Sequence, residues 1–189
     1  MRRIATIAVL LITLAACTHY SLVKAKTQKI GGAYTVEAQI DWNKHAEGKV
    51  ELWTVDGPGL EVLRFFKGLD DGDALFIRPV GAATEIKFPA YRAGMTASEV
   101  MEFVVDSLGR AGAAEVKARG LQPARFGSVP GFRFELTFAT AQGLEMSGLA
   151  AGAVIEGALH LILYTGARVH YFPKYRDDVE RLLGSIEMI

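Results

Sequence analysis

The chain has 189 residues, with 21 Lys+Arg balanced by 21 Asp+Glu, four His and one Cys. That length suits one domain, and 50% apolar with 22% charged residues is ordinary globular composition, which excludes a disordered chain. A formal charge of zero removes the electrostatic case for nucleic acid, and a lone Cys excludes a disulfide framework or a Cys-rich zinc site.

The chain opens on Met1-Arg2-Arg3, then runs from Ile4 to Ala16 without a charge. A basic start, a short apolar core and small residues before a cut site are the parts of a secretory signal. Thirteen residues at about 1.5 Å each span roughly 20 Å, short of a hydrocarbon core of about 30 Å, so the segment is a poor permanent span. Nothing beyond the arginine pair supports twin-arginine export.

That run ends in Leu14-Ala15-Ala16-Cys17, which resembles the lipobox of bacterial lipoproteins. The resemblance implies a signal peptide over residues 1–16, cleavage before Cys17, and lipidation of Cys17. The sulfur would take a diacylglyceryl thioether and the new amine an acyl group such as palmitate. Two or three acyl chains, at about 0.8 kcal/mol per buried CH₂, make an anchor that a single myristate does not. Removing Arg2 and Arg3 leaves 19 Lys+Arg against 21 Asp+Glu. Thr18 follows the Cys where many inner-membrane lipoproteins carry Asp. The expected address is therefore the periplasm-facing cell envelope, outer membrane favoured over inner membrane.

Residues 17–32 read as a lipidated tether, polar and basic, with Gly31-Gly32 as the hinge into a single domain over 33–189. Lys24, Lys26 and Lys29 are placed to touch anionic headgroups, at about 1 kcal/mol each, though a soluble linker is the commoner role of such a stretch. Beyond Gly32 the pattern switches to period two. Tyr34, Val36, Ala38 and Ile40 alternate with polar residues, as in a half-buried strand. Val50 to Val55 repeats this, Asp56-Gly57-Pro58-Gly59 turns, and Leu60, Val62, Phe65 and Phe66 return as the second arm of a hairpin. Asp70-Asp71-Gly72-Asp73 is another turn, and Arg78 to Ala93, with Pro79 and Pro89, reads as irregular connection.

Thr96-Ala97-Ser98-Glu99 has the spacing of a capping box, so a helix starts there, with Val100, Phe103, Val104 and Leu108 on its apolar face and Gly109 and Gly112 at its end. A long β stretch follows. Within it Phe132, Phe134, Leu136 and Phe138 face one way and Arg133, Glu135 and Thr137 the other. Leu144 to Leu149 pairs back across Ala141-Gln142-Gly143. Val154 to Tyr164 reads as a third strand, almost wholly apolar. Lys174 to Gly184 carries Tyr175, Val179, Leu182 and Leu183 on one face of an amphipathic closing helix. Antiparallel strands interrupted by few helices predict an α+β fold, with helices flanking an antiparallel β-sheet.

The order of these elements resembles the Mog1/PsbP-like superfamily. The likeness is carried by Asp56-Gly57-Pro58-Gly59-Leu60 before an aromatic strand, the Thr96-Ala97-Ser98-Glu99 helix start, and Val129-Pro130-Gly131-Phe132-Arg133-Phe134-Glu135. Asp178-Val179-Glu180-Arg181-Leu182-Leu183-Gly184-Ser185-Ile186 closes it. The resemblance implies an α/β/α sandwich over roughly residues 33–189 and a binding or assembly role. It carries over no functional residue.

Motifs for chemistry are sparse. Gly127-Ser128-Val129-Pro130 and Met146-Ser147-Gly148 do not make a nucleophile elbow, and Gly57-Pro58-Gly59 lacks the rest of a dinucleotide fingerprint. His19 and His45 read as solvated, His45 in a polar turn. His160 falls on one face of the apolar strand with Glu156, Ala158, Ile162 and Tyr164, and His170 lies beyond a turn at Thr165-Gly166-Ala167. Two imidazoles and Glu156 are a conceivable zinc set, but a satisfied polar position in a sheet is the commoner role, and no metal site is assigned. Arg133, Glu135 and Glu145 read as cross-strand ion pairs rather than a catalytic carboxylate pair. Trp42, Trp53, Phe65 and Phe66 read as core before they read as a ligand groove.

The expected function is thus a membrane-anchored envelope lipoprotein whose domain is a non-catalytic protein-binding or assembly module. Its partners would be membrane lipid through acylated Cys17 and an envelope protein, with no nucleic acid and no cofactor. The alternatives are a carrier of an apolar small molecule, which requires a pocket between sheet and helices, and an envelope hydrolase, which requires His160 or a carboxylate in a cleft.

Overall fold

The computed structural model describes residues 20–76 and 87–189, so the leader, Cys17, Thr18, His19 and Pro79 lie outside the described residues. In chain order the elements are β1 (Ser21–Val23), β2 (Thr27–Ile30), β3 (Tyr34–Glu37), β4 (Trp42–Glu47), β5 (Val50–Thr54) and β6 (Glu61–Leu69). Then come α1 (Ala97–Arg110), β7 (Ala114–Phe126), β8 (Val129–Ala139), β9 (Glu145–Ile155), β10 (Ala158–Ala167), α2 (Tyr171–Gly184) and β11 (Glu187–Met188). Eight strands form one antiparallel sheet in the order β1-β4-β5-β6-β10-β9-β8-β7, and β11-β3-β2 form a second, smaller one. The fold is therefore mostly antiparallel sheet with two helices. It matches the expected α+β class while carrying more strand than a balanced sandwich.

The large sheet buries both faces. On one, Val100, Phe103, Val104 and Leu108 of α1 pack over Phe66, Phe134, Leu136, Leu159, Leu161 and Leu163. On the other, α2 and the small sheet cover Trp53, Phe65, Ile162 and Tyr164 with Tyr34, Val36, Tyr175, Val179 and Leu182. Strand β10 lies between these layers with β6 and β9 beside it, and nine of its ten residues are buried. A strand buried on both faces has no polar side to alternate, which is why its sequence is a continuous apolar run.

Three local expectations need correction. The described part of the stretch read as a tether is not one: β1 pairs with β4 and β2 with β3, which brings residues 21–30 into the two sheets. Gly31-Gly32-Ala33 is a three-residue hairpin loop instead of a hinge. Both glycines have positive φ, 57° and 75°, and Ala33 N–H donates to the Ile30 carbonyl at 3.2 Å. That is the mirror-image turn whose twist suits tight hairpins. Secondly, the apolar run around Val154–Tyr164 is not one strand. It is broken by a turn at Glu156-Gly157, φ 51° and 86°, and its halves pair as β9 and β10. Thirdly, His45 lies in β4, half-buried, with its ring 5.8 Å from Tyr20.

The helices follow their sequence signals closely. Thr96 caps α1, its hydroxyl accepting from Glu99 N–H at 3.3 Å while the Glu99 carboxylate accepts from Thr96 N–H at 2.8 Å. Helix α2 docks its first turn on the β5–β6 turn, where Lys174 and Tyr175 both donate to Asp56, at 2.8 and 2.5 Å.

Candidate functional site

Beyond the C-terminal end of α1 the helix no longer covers the sheet, and a cleft of about 480 Å³ opens there. That is within the range of small-molecule sites. Its floor is the start of β6 and the end of β10, its walls the last turn of α1, the β5–β6 turn and the β8–β9 turn. Val62, Phe76, Leu108, Phe138 and Met146 give it apolar sides.

Arg64 is the one charged residue among the described residues lining this cleft. Alternation along β6 turns Leu63 and Phe65 to the α2 side, so Arg64 faces α1 with Val62 and Phe66. It stands opposite Leu163 on β10, and its guanidinium donates to the hydroxyl of Thr165, two residues further along, at 3.4 Å. That bond is long, and no carboxylate among the described residues pairs with Arg64. The side chain is half-buried, and burial pulls its pKa down to about 10, which leaves it charged at neutral pH. The carbonyls at the end of α1 are already engaged. Ser107, Leu108 and Gly109 accept from the N–H groups of Ala111, Ala113 and Gly112. Among the described residues, Thr165 is the one hydrogen-bond partner of the guanidinium.

The residues singled out from the sequence lie elsewhere. His160 is 6% exposed, on the α2 side of β10, with its ring edge-on to Tyr34 at 5.8 Å and its Nδ1 without a hydrogen-bond partner among the described residues. Burial lowers its pKa, so it is a neutral core imidazole. Glu156 is an exposed turn residue off the strand face, and His170 is the exposed residue before α2, past the far end of β10 from His160. The expected turn at Thr165-Gly166-Ala167 is the end of β10 itself. The structure does not bring these three together, and among the described residues no three His, Cys, Asp or Glu cluster to hold a metal. No helix among them is long and apolar enough to cross a membrane.

Arg133, Glu135 and Glu145 form ion pairs, but not with one another. Arg133 reaches Glu180 of α2 at 2.7 Å, Glu135 takes Arg176 at 2.9 Å and Arg119 at 3.2 Å, and Glu145 takes Arg168 at 3.3 Å. The face read as outward is half covered by α2, which supplies new partners. Trp42, Trp53, Phe65 and Phe66 are all core, at most 1% exposed. The sequence signal for Arg64 is a lone charge inside Val62-Leu63-Arg64-Phe65-Phe66.

No family model matches the chain, and no curated protein matches it. Among solved structures, the cyanobacterial PsbP (CyanoP) of Synechocystis sp. PCC 6803 is similar with a TM-score of 0.57 at 11% identity, over 93% of this chain and 95% of that one. LpqN of Mycobacterium tuberculosis, a protein involved in cell envelope biogenesis, is similar with a TM-score of 0.40 at 10% identity, over 93% of this chain and 87% of that one. The fold is PsbP-like.

Proposed function

We propose that the chain is a lipoprotein of the bacterial cell envelope, anchored through Cys17, whose PsbP-like domain is a non-catalytic binding module with its ligand seated in the cleft beyond α1. The observation that carries the reading is the cleft itself, about 480 Å³ with an apolar wall at the sheet–helix junction. Of the expected roles, the small-molecule carrier is the one that requires such a space. A protein partner was the first expectation, and the exposed edge strand β7 is where a partner strand would add. That edge is blunted by register shifts at Ala114/Lys117 and Arg119/Gln122, by Pro123 and by the charges of Lys117, Arg119 and Arg125. Such features discourage strand addition, so the carrier reading takes precedence.

Two measurements test the parts separately. The intact protein is expected to stay with membranes through an alkaline wash, and Cys17→Ser to be released; retention of Cys17→Ser refutes the lipid anchor. Organic extraction of protein purified from its own envelope is expected to yield a near-stoichiometric apolar compound. Ala111→Trp, at the exposed rim of the cleft, is expected to abolish it. An empty extract from the parent protein refutes the carrier.

A further inference from the structure

We infer that the cleft beyond α1 binds a singly charged amphiphile, a fatty-acid-like carboxylate held by Arg64 and Thr165 with its apolar chain along the cleft walls. The inference rests on the cleft being a ligand seat and adds the chemistry of the head group. Charge complementarity chooses that head. Among the described residues Arg64 is the only charge in the lining and has no ionic partner, so an entering anion meets one uncompensated cation. A guanidinium presents parallel N–H donors that fit the two oxygens of a carboxylate, and such charge-assisted pairs are about twice as strong as neutral ones. The Thr165 hydroxyl, already within reach of Arg64, sits where it can donate to the same head group. The described residues of the lining hold no second cation, which a dianionic phosphate monoester would draw on.

The body of the ligand follows from the rest of the cleft. Val62, Leu108 and Met146 are core residues at no more than 7% exposure, and Phe76 and Phe138 stand half-buried beside them. A small hydrophilic anion would leave that apolar surface wet, whereas a short acyl chain covers it. An isolated half-buried arginine among such side chains costs the folded domain desolvation that a methionine there would not. Binding of an anion offsets that cost.

The test uses the full chain with Cys17→Ser, which alters no cleft residue, and isotope-labelled methionine methyls so that Met146 reports from the wall. Decanoate, decanol and decyl phosphate are titrated in turn. Decanoate is expected to shift the Met146 methyl and to bind about tenfold more tightly than decanol, as one charge-assisted pair provides. Arg64→Gln is expected to erase that preference, weakening decanoate binding about tenfold. Arg64→Lys, which keeps the charge but not the fork, should retain part of it. Equal affinity for decanoate and decanol, or decanoate binding indifferent to both Arg64 variants, overturns the carboxylate assignment and leaves the apolar seat standing. Tighter binding of decyl phosphate than of decanoate overturns the singly charged head. If no ligand moves Met146, and Ala111→Trp changes no affinity, the cleft reading itself falls, and the head-group inference with it.

Discussion

Trp53 donates its indole N–H to the carboxylate of Glu51 at 2.7 Å, from two residues along the same face of β5. Glu51 is 6% exposed and also neutralises Lys44 at 3.5 Å and Lys67 at 3.8 Å. Glu51→Ala strands a buried indole donor and leaves two lysines without their counter-charge. A loss of about 3 kcal/mol is expected, since removing one partner of a buried network costs more than the network contributes. Glu51→Gln keeps an acceptor for Trp53 and should lose less. Urea midpoints of the two variants check this, and equal losses would show that the indole bond contributes nothing.

His160 makes stability depend on pH in a defined direction. Burial holds its folded pKa below the ordinary imidazole value of about 6.5, so the unfolded chain takes up the proton first. Its contribution is therefore whole above about pH 6.5 and is lost as pH falls through the lowered folded value. His160→Leu is expected to flatten the fall in unfolding free energy between about pH 7 and 5. An unchanged slope would assign that acid sensitivity to another group.

The β9–β10 turn holds a residue in a conformation it disfavours. Glu156 sits at φ 51°, beside Gly157 at φ 86°. Asn tolerates the left-handed region and is favoured in this two-residue turn. Glu156→Asn should raise stability by about 0.5 kcal/mol, whereas Gly157→Ala should lower it by about 1 kcal/mol. Thermal melts of the pair check both signs.

Arg64 is expected to separate stability from binding. Arg64→Met removes a half-buried, unpaired charge and fills its space with a flexible apolar chain, and should raise stability by about 1 kcal/mol. The same change should end discrimination between decanoate and decanol. A variant less stable than the parent would mark Arg64 as a structural residue.

The sequence makes some elements plain and hides others, and burial explains the difference. The Thr96–Glu99 box and the faces of α1 and α2 were legible because each helix has one buried side and one wet side. Strands β1 and β2 were not. In three and four residues they each bury a single apolar side chain, Val23 and Ile30, and the exposed Lys24, Lys26 and Lys29 make the stretch look like linker. Period two needs more repeats than that to register. Strand β7 is hidden because it is an edge whose residues are mostly exposed. The β9–β10 turn is hidden for the opposite reason, since apolar residues run up to Glu156-Gly157 on both sides. As for the cleft, the sequence marks Arg64 as a lone charge between Val62-Leu63 and Phe65-Phe66, in a strand buried on both faces, but not as an unpaired one. Its want of a partner depends on where α1 stops and on what the β8–β9 turn brings over it, and both are long-range facts.

For the anchor proposed at Cys17, the pairing of β1 with β4 also sets how far the domain could travel from the membrane. A free segment over residues 17–32 would reach roughly 55 Å at full extension, wide enough for the domain to search the space between two membranes. With Ser21 bonded into the sheet edge, only four peptide steps separate it from Cys17, a leash of about 14 Å at most. With the anchor proposed at Cys17, a domain on so short a leash would sit against the leaflet that holds the acyl chains. The proposed amphiphile would then be exchanged at that surface or brought to it, not ferried between membranes by this protein.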